Sequence, residues 1–400
     1  MSRLDDYREV TPKGTIDFLE RLVELVKGKK ILHINSTKVG GGVAEMLSSD
    51  LPLLKDLGVD AQWQIISGTE EFFNVTKSFH NALQGQEQHI TQQMLQAYLE
   101  VNRENAQRLS FDADYVVIHD PQPAALIESR PAQGKWVWRC HIDISRPQWK
   151  VWNFLKQFVV HYDAAIFSLP RFAQRLPIPQ FLIFPSIDPL SDKNRDLSPQ
   201  EQSQILSRLN VPTDKPILLQ VSRFDRFKDP LGVIQAYQLV KKHHDVQLVL
   251  AGGGATDDPE GETVLSEVRE AARDDPDIHI LLLPPDANLE INALQRAATI
   301  VLQKSLREGF GLTVAEAMWK GKPVIGGSAG GITAQLIYGV TGFTVNSVEG
   351  AAFRIHHLLD NPEVMTKIGG DGKEYVRQNF LITRKLGDWL ALMSYLGRRI

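Results

Sequence analysis

The sequence predicts an α/β protein made of two doubly wound parallel-sheet domains, and three observations predict it. Short apolar runs of strand length alternate with longer amphipathic stretches, and glycine clusters follow several of the runs. The alternation breaks once, in the stretch PSIDPLSD from Pro185, where two prolines stand among polar residues. At 400 residues and 43% hydrophobic, the chain can bury two cores. The expected division is residues 1–188 and 189–380, with a last helix in 381–400 returning to the first domain.

The first half opens with an amphipathic stretch, Thr15 to Lys27, that places Ile16, Leu19, Leu22, Val23 and Val26 on one helical face. A buried strand, Ile31 to Ile34, then leads through Gly40, Gly41 and Gly42 into a helix from Val43 to about Leu57. Glu45 stands where a dinucleotide fingerprint needs its third glycine, so this loop argues poorly for NAD. Between Gly68 and Gly85 the residues Phe72, Phe73, Asn74, Thr76, Lys77, Phe79, His80 and Asn81 follow no clean period, and the segment reads as a long ordered loop. Strands at Tyr115–Ile118 and Trp136–Trp138 end in His119-Asp120 and in Arg139-Cys140-His141-Ile142-Asp143. Ligands of open parallel sheets sit outside the carboxyl ends of strands, which is where both polar clusters fall. A helix from Gln148 to His161 and strands at Ala164–Phe167 and Phe181–Phe184 complete this half.

The second half repeats the alternation with strands at Ile217–Val221, Gln247–Leu250, Ile278–Leu282, Ile300–Leu302 and Pro323–Ile325. Arg223 and Lys228 follow the first of these, and their donors suit a diphosphate. After Leu302 the chain reads SLREGFGLTVAEAM from Ser305, a strand, a glycine turn at Gly309 and Gly311, and a helix ended by Gly321. The helix N-terminus at Leu312 and Thr313 favours an anion. Glu308 and Glu316 flank it and can accept hydrogen bonds from hydroxyls, so the stretch looks built for a nucleotide-sugar.

The spacing of Glu308 and Glu316 within REGFGLTVAEAM resembles the signature of retaining GT-B glycosyltransferases. FFNVTKSFHNALQG, VIHDPQPAALIE, WRCHIDIS, PSIDPLS, VSRFDRFKD and AMWKGKPVIG resemble, more narrowly, the trehalose-forming members of the GT4 family, from about Asn35 to the C-terminus. The resemblance implies two Rossmann-like domains facing a central cleft. It implies transfer of glucose from UDP- or ADP-glucose to free glucose, reversibly, giving trehalose with retention. Arg223, Lys228, Gly41, Gly42, Gly309, Phe310, Gly311, Leu312, Thr313 and Glu316 would hold the donor. Glu308 would bind sugar hydroxyls, and His141 would lie beside the donor sugar. Asp120, Asp143, Asn74 and His80 fall on the acceptor side. No cofactor or metal is expected, and a homodimer is what the family implies.

Other chemistries fit less well. His119, Asp120, His141 and Asp143 mix metal-ligand types but lack helical spacing. Gly326-Gly-Ser328-Ala-Gly330 has the form of a hydrolase nucleophile elbow, yet His356 and His357 lie inside a helical run. A helix starting between Glu308 and Glu316 puts both on one wall, unlike the opposed carboxylates of glycosidases. A trehalose phosphorylase is the nearest alternative, because the same cations accept phosphate, and a nucleotide-sugar epimerase is more remote. A net charge of −4 with dispersed Lys and Arg gives no sign of a nucleic-acid surface, and no nucleic-acid partner is expected. The single Cys140 excludes an internal disulfide, and no apolar run reaches membrane-helix length, so a cytoplasmic protein is expected.

Overall fold

A computed structural model describes residues 3–38, 42–253, 259–273 and 275–398. The chain divides into two compact units, one running to Pro185 and joined by the segment from Ile382, the other Ser186–Leu381. Among the described residues, each unit holds one six-stranded sheet with all pairings parallel.

The first sheet comprises β1 (Lys30–Asn35), β2 (Asp60–Ile65), β3 (Tyr115–His119), β4 (Lys135–Cys140), β5 (Ala164–Phe167) and β6 (Gln180–Leu182). Its order is β2-β1-β3-β4-β5-β6, so the winding reverses between β1 and β3. Central strands β3 and β5 are buried at every residue, as strands covered by helices on both faces must be. Trp138 packs 6.3 Å from Trp152 and 6.0 Å from Phe167, centroid to centroid. Burying a large apolar side chain of this kind contributes roughly 1.5–3 kcal/mol.

The second sheet comprises β7 (Ile217–Val221), β8 (Gln247–Gly252), β9 (Ile278–Leu282), β10 (Ile300–Gln303), β11 (Val324–Gly327) and β12 (Phe343–Val345). Its order, β12-β11-β10-β7-β8-β9, reverses between β7 and β10. Leu218, Leu248, Leu250, Ile300, Leu302 and Ile325 from these strands pack in one core with helix residues that include Tyr237 and Leu358.

The expectation of a loop over 68–85 is wrong. Glu70–Leu83 is an α-helix, with Thr69 Oγ1 accepting the Phe72 N–H at 3.3 Å as its N-cap. Phe72, Val75, Thr76, Phe79, Ala82 and Leu83 are buried at the helical spacing of three and four, while the adjacent Phe73 points outward. That outward ring is what hides the period. The sequence reading also lacked β2, β12 and the helix Gln92–Arg108.

The last helix, Ile382–Gly397, belongs to the first unit. Its Met393 carbonyl accepts a hydrogen bond from Tyr115 Oη at 2.8 Å. Lys385 Nζ lies 2.7 Å from Asp50 Oδ2, both side chains almost fully buried. No described helix is long and apolar enough to cross a membrane.

Candidate active site

The winding reversal of the second sheet brings together the ends of β7 and β10, where an open parallel sheet binds ligands. After β7 a short turn, Arg226–Lys228, is capped by Asp225, whose Oδ1 accepts the Lys228 N–H at 3.1 Å. Gln220 Nε2 holds the Lys228 carbonyl at 2.7 Å. Lys228 Nζ thereby reaches Glu308 Oε2 at 2.7 Å, and this oxygen also accepts from Ser305 Oγ at 3.2 Å and Gln303 Nε2 at 3.5 Å. Arg223 lies 3.1 Å from Asp225 with 67% of its side chain exposed, enough to leave its guanidinium available to a ligand. Arg226 is instead bidentate to Glu267.

The glycine turn is held from beneath. Gly311 caps the helix Leu312–Trp319 at a φ of 82°, a conformation that a side chain disfavours. Gln335 Nε2 donates to the carbonyls of Phe310 and Gly311 at 2.7 and 3.2 Å, and the Gly331 N–H bonds to the Gly309 carbonyl at 2.9 Å. Thr313 Oγ1 donates to Gln303 Oε1 at 3.2 Å, tying the first helical turn to β10. Glu316 is buried. Its Oε2 accepts from Gln295 at 3.1 Å and its Oε1 lies 3.6 Å from Lys193 Nζ. Beside it Lys320, bonded to Asn194 Oδ1 and the Glu316 carbonyl, is pushed down to about 7 by burial.

In the first unit a second set of residues gathers at the ends of β1, β3 and β4. Asp120 adopts a φ of 65°, tolerated by aspartate, with its N–H on the Arg139 carbonyl and its own carbonyl held by Trp138 Nε1. Asp120 Oδ1 accepts the His141 N–H at 2.7 Å. Burial pushes this carboxyl up to about 7, against the opposing pull of that bond and of Arg139. Arg139 is itself buried, donates to the Ile183 carbonyl at 2.6 Å, and is drawn down to about 10. His33 and His119 join His141 in a line of ring-to-ring contacts.

The Asp120 shift has a measurable sign. The folded chain holds this proton to about 7 and an unfolded aspartate releases it near 3.8, so its stabilising contribution is full below the lower value. It is lost as pH rises through the upper one. Asp120→Asn keeps the shape and tolerates the positive φ but does not titrate. Melting curves from pH 4 to 8 should therefore fall less steeply for the variant than for the parent; parallel curves would remove the buried-proton assignment.

Asn74 and His80, also expected on the acceptor side, lie on the helix Glu70–Leu83. Asn74 is exposed and lines a surface depression with Glu70, Glu71, Ser78 and Met94. His80 is half-buried on the same helix. Asp143 turns back to accept the Ser145 N–H at 2.9 Å. Gly42 begins the helix Gly42–Asp56, and Gly41 lies outside the described residues. Among the described residues no group of His, Cys, Asp and Glu converges as metal ligands. Sequence reasoning missed His33, Gln303 and Lys385. For His33 and Lys385 the signal was a polar residue on an otherwise apolar strand or helix face.

Residues 33–174 match the family model for the trehalose synthase N-terminal domain, and residues 201–375 match glycosyl transferases group 1. The trehalose synthase of Pyrococcus horikoshii is 47% identical over 402 aligned residues, spanning 99% of this chain and 97% of that protein. The chain belongs to the trehalose synthase family. Another trehalose synthase, from Rubrobacter xylanophilus, is 43% identical over 98% of this chain and 97% of its own length. The fold is GT-B, shared with a solved E. coli structure described as trehalose-6-phosphate bound with UDP-2-fluoro glucose. That likeness has a TM-score of 0.74 at 13% identity, covering 93% of this chain and 99% of the other. As a trehalose synthase family member the chain is a glycosyltransferase, and its chemistry is trehalose-related glycosyl transfer.

Proposed function

We propose that this glycosyltransferase moves glucose from a nucleoside-diphosphate glucose to free glucose, forming trehalose reversibly and with retention at the anomeric carbon. The observation that carries this reading is the Lys228–Glu308 pair, 2.7 Å apart at the winding reversal and followed directly by a helix N-terminus. It sets a cation and a hydroxyl acceptor side by side where a sugar diphosphate needs both. Lys228, Arg223 and the N–H groups of the helix's first turn stabilise charge on the departing diphosphate, a role that elsewhere falls to a metal ion. Glu308 holds hydroxyls of the transferred sugar, and Glu316 takes the ribose once Lys193 yields a carboxylate oxygen. His141 and Asp120 are the first unit's candidates for contact with a sugar hydroxyl.

No carboxylate stands in the role of a covalent nucleophile in this scheme. The acceptor hydroxyl attacks from the face the diphosphate leaves, through an oxocarbenium-like state, and a leaving phosphate oxygen takes its proton. The test supplies UDP-, ADP- and GDP-glucose with a chelator, with and without glucose, and identifies the product by NMR. Glucose-dependent nucleotide release with an α,α-linked disaccharide is the expected result. Glucose 1-phosphate formed from trehalose and phosphate, without nucleotide release, would overturn it in favour of phosphorolysis.

A further inference from the structure

A buried row of imidazoles crosses the carboxyl ends of three neighbouring strands in the first unit. His33 Nδ1 on β1 lies 3.0 Å from His119 Nε2 on β3, and His119 Nδ1 lies 2.9 Å from Nε2 of His141, just past β4. The two outer atoms, His33 Nε2 and His141 Nδ1, are buried without a hydrogen-bond partner among the described residues. Burial holds all three rings well below the ordinary histidine value, His33 at about 3, so each is neutral and carries a single N–H.

Neutral imidazoles in such a row have only two consistent arrangements. Two of the three N–H groups serve the internal bonds, which leaves one N–H at one end and one lone pair at the other. Either every ring is protonated on Nδ1 and His141 presents a donor, or every ring is protonated on Nε2 and His141 presents an acceptor. The role of His141 is thus fixed by what happens at His33.

At the His33 end the charge that acts on the ring is Lys385, which lines the same small cavity as Trp389 and is ion-paired at 2.7 Å to Asp50. Its positive charge favours a lone pair, not an N–H, on His33 Nε2. Arg139 acts on the His141 end with the opposite preference, but its donors point to the carbonyls of Ile183 and Phe167. Asp120, beside His141, supplies an acceptor to its backbone and not to its ring.

We propose that His33 and His119 are positioning residues that fix His141 as the Nδ1–H tautomer, with Lys385 on the returning helix setting the direction. His141 then offers a hydrogen-bond donor at the strand ends, suited to a sugar oxygen. The functional part rests on the reading of His141 given above; the tautomer does not. His119 is the obligatory middle member, because its two nitrogens must take opposite roles.

Two-bond 1H–15N correlation spectra of the full chain, labelled with 15N-histidine, read the tautomers directly. The expected result at neutral pH is Nδ1–H for His33, His119 and His141. His33→Leu removes the first donor and should convert His141 partly or wholly to Nε2–H, with sugar KM raised about tenfold, as for other groups that orient a functional histidine. His33→Asn places an amide donor near the lost Nδ1 and should restore both, whereas a packing role alone would not distinguish the two variants. Wild-type His141 found as Nε2–H, or unchanged in His33→Leu, overturns the proposal. If no glycosyl transfer were detected, the spectra would still decide it, so failure of the proposed reaction and failure of the histidine row are separable.

Discussion

Glu308→Ala is expected to lower kcat/KM for glycosyl transfer by about 10²–10³-fold, the usual loss when one preorganised polar group is taken from a reacting centre. The fold should survive. Glu308 sits in a loop, and what it leaves behind is Lys228, whose side chain is 16% exposed and can turn toward water. A stability loss of a few kcal/mol, at or below the roughly 3–5 kcal/mol of a buried pair that loses one partner, is the scale for so enclosed a pair. The kinetic loss has two sources that a second variant separates. Glu308→Gln keeps a hydroxyl acceptor while removing the charge that orients Lys228, so it should fall between alanine and the parent. Full activity in Glu308→Ala, measured as nucleotide release at saturating glucose, would remove this residue from the site.

Gly330→Ala should be nearly as damaging, through the backbone alone. A Cβ there would lie 1.5 Å from the Glu308 carbonyl oxygen and 3.1 Å from that of Gly309, and the residue has a φ of 45°. No side-chain rotation relieves a clash with two carbonyls, so the loop bearing Glu308 must move. Left-handed strain of about 1–2 kcal/mol and overpacking of about 1–3 kcal/mol together give a loss of several kcal/mol. Gly339→Ala is the control: its φ is 74° with nothing within 4 Å, so it carries the strain without the displacement. Thermal melting and transfer rate measured on both should show Gly330→Ala losing activity beyond its loss of stability, and Gly339→Ala losing only a little stability. Equal activities in the two would mean the loop's position does not matter.

What could be read from the sequence depended on how locally each feature is written. The strand, turn and helix around 300–320 were legible because Ile300, Val301 and Leu302 are contiguous and Gly311 stands where the backbone turns left-handed. Strand β2, Asp60–Ile65, was not, since at the sheet edge it buries only Ala61 fully and is otherwise polar or half-exposed. Strand β12 is three residues long, too short for any period. The pairing of Lys228 with Glu308 spans 80 positions and becomes visible only when β7 and β10 are neighbours. The histidine row is harder still, because His33, His119 and His141 lie on separate segments that only the strand order β1-β3-β4 aligns.

The return of Ile382–Gly397 to the first unit also constrains how the chain is made. Domains usually fold in the order they leave the ribosome, the earlier one first. Here the second unit, Ser186–Leu381, is continuous and emerges whole before the helix that supplies Lys385 to Asp50 and the Met393 carbonyl to Tyr115. Until then Asp50 faces its buried site without that cation, and the face of the first unit that the helix covers stays open. The later unit thus has all its residues before the earlier one does, and a chain cut after Leu381 would hold every residue of the second unit but an unfinished first one.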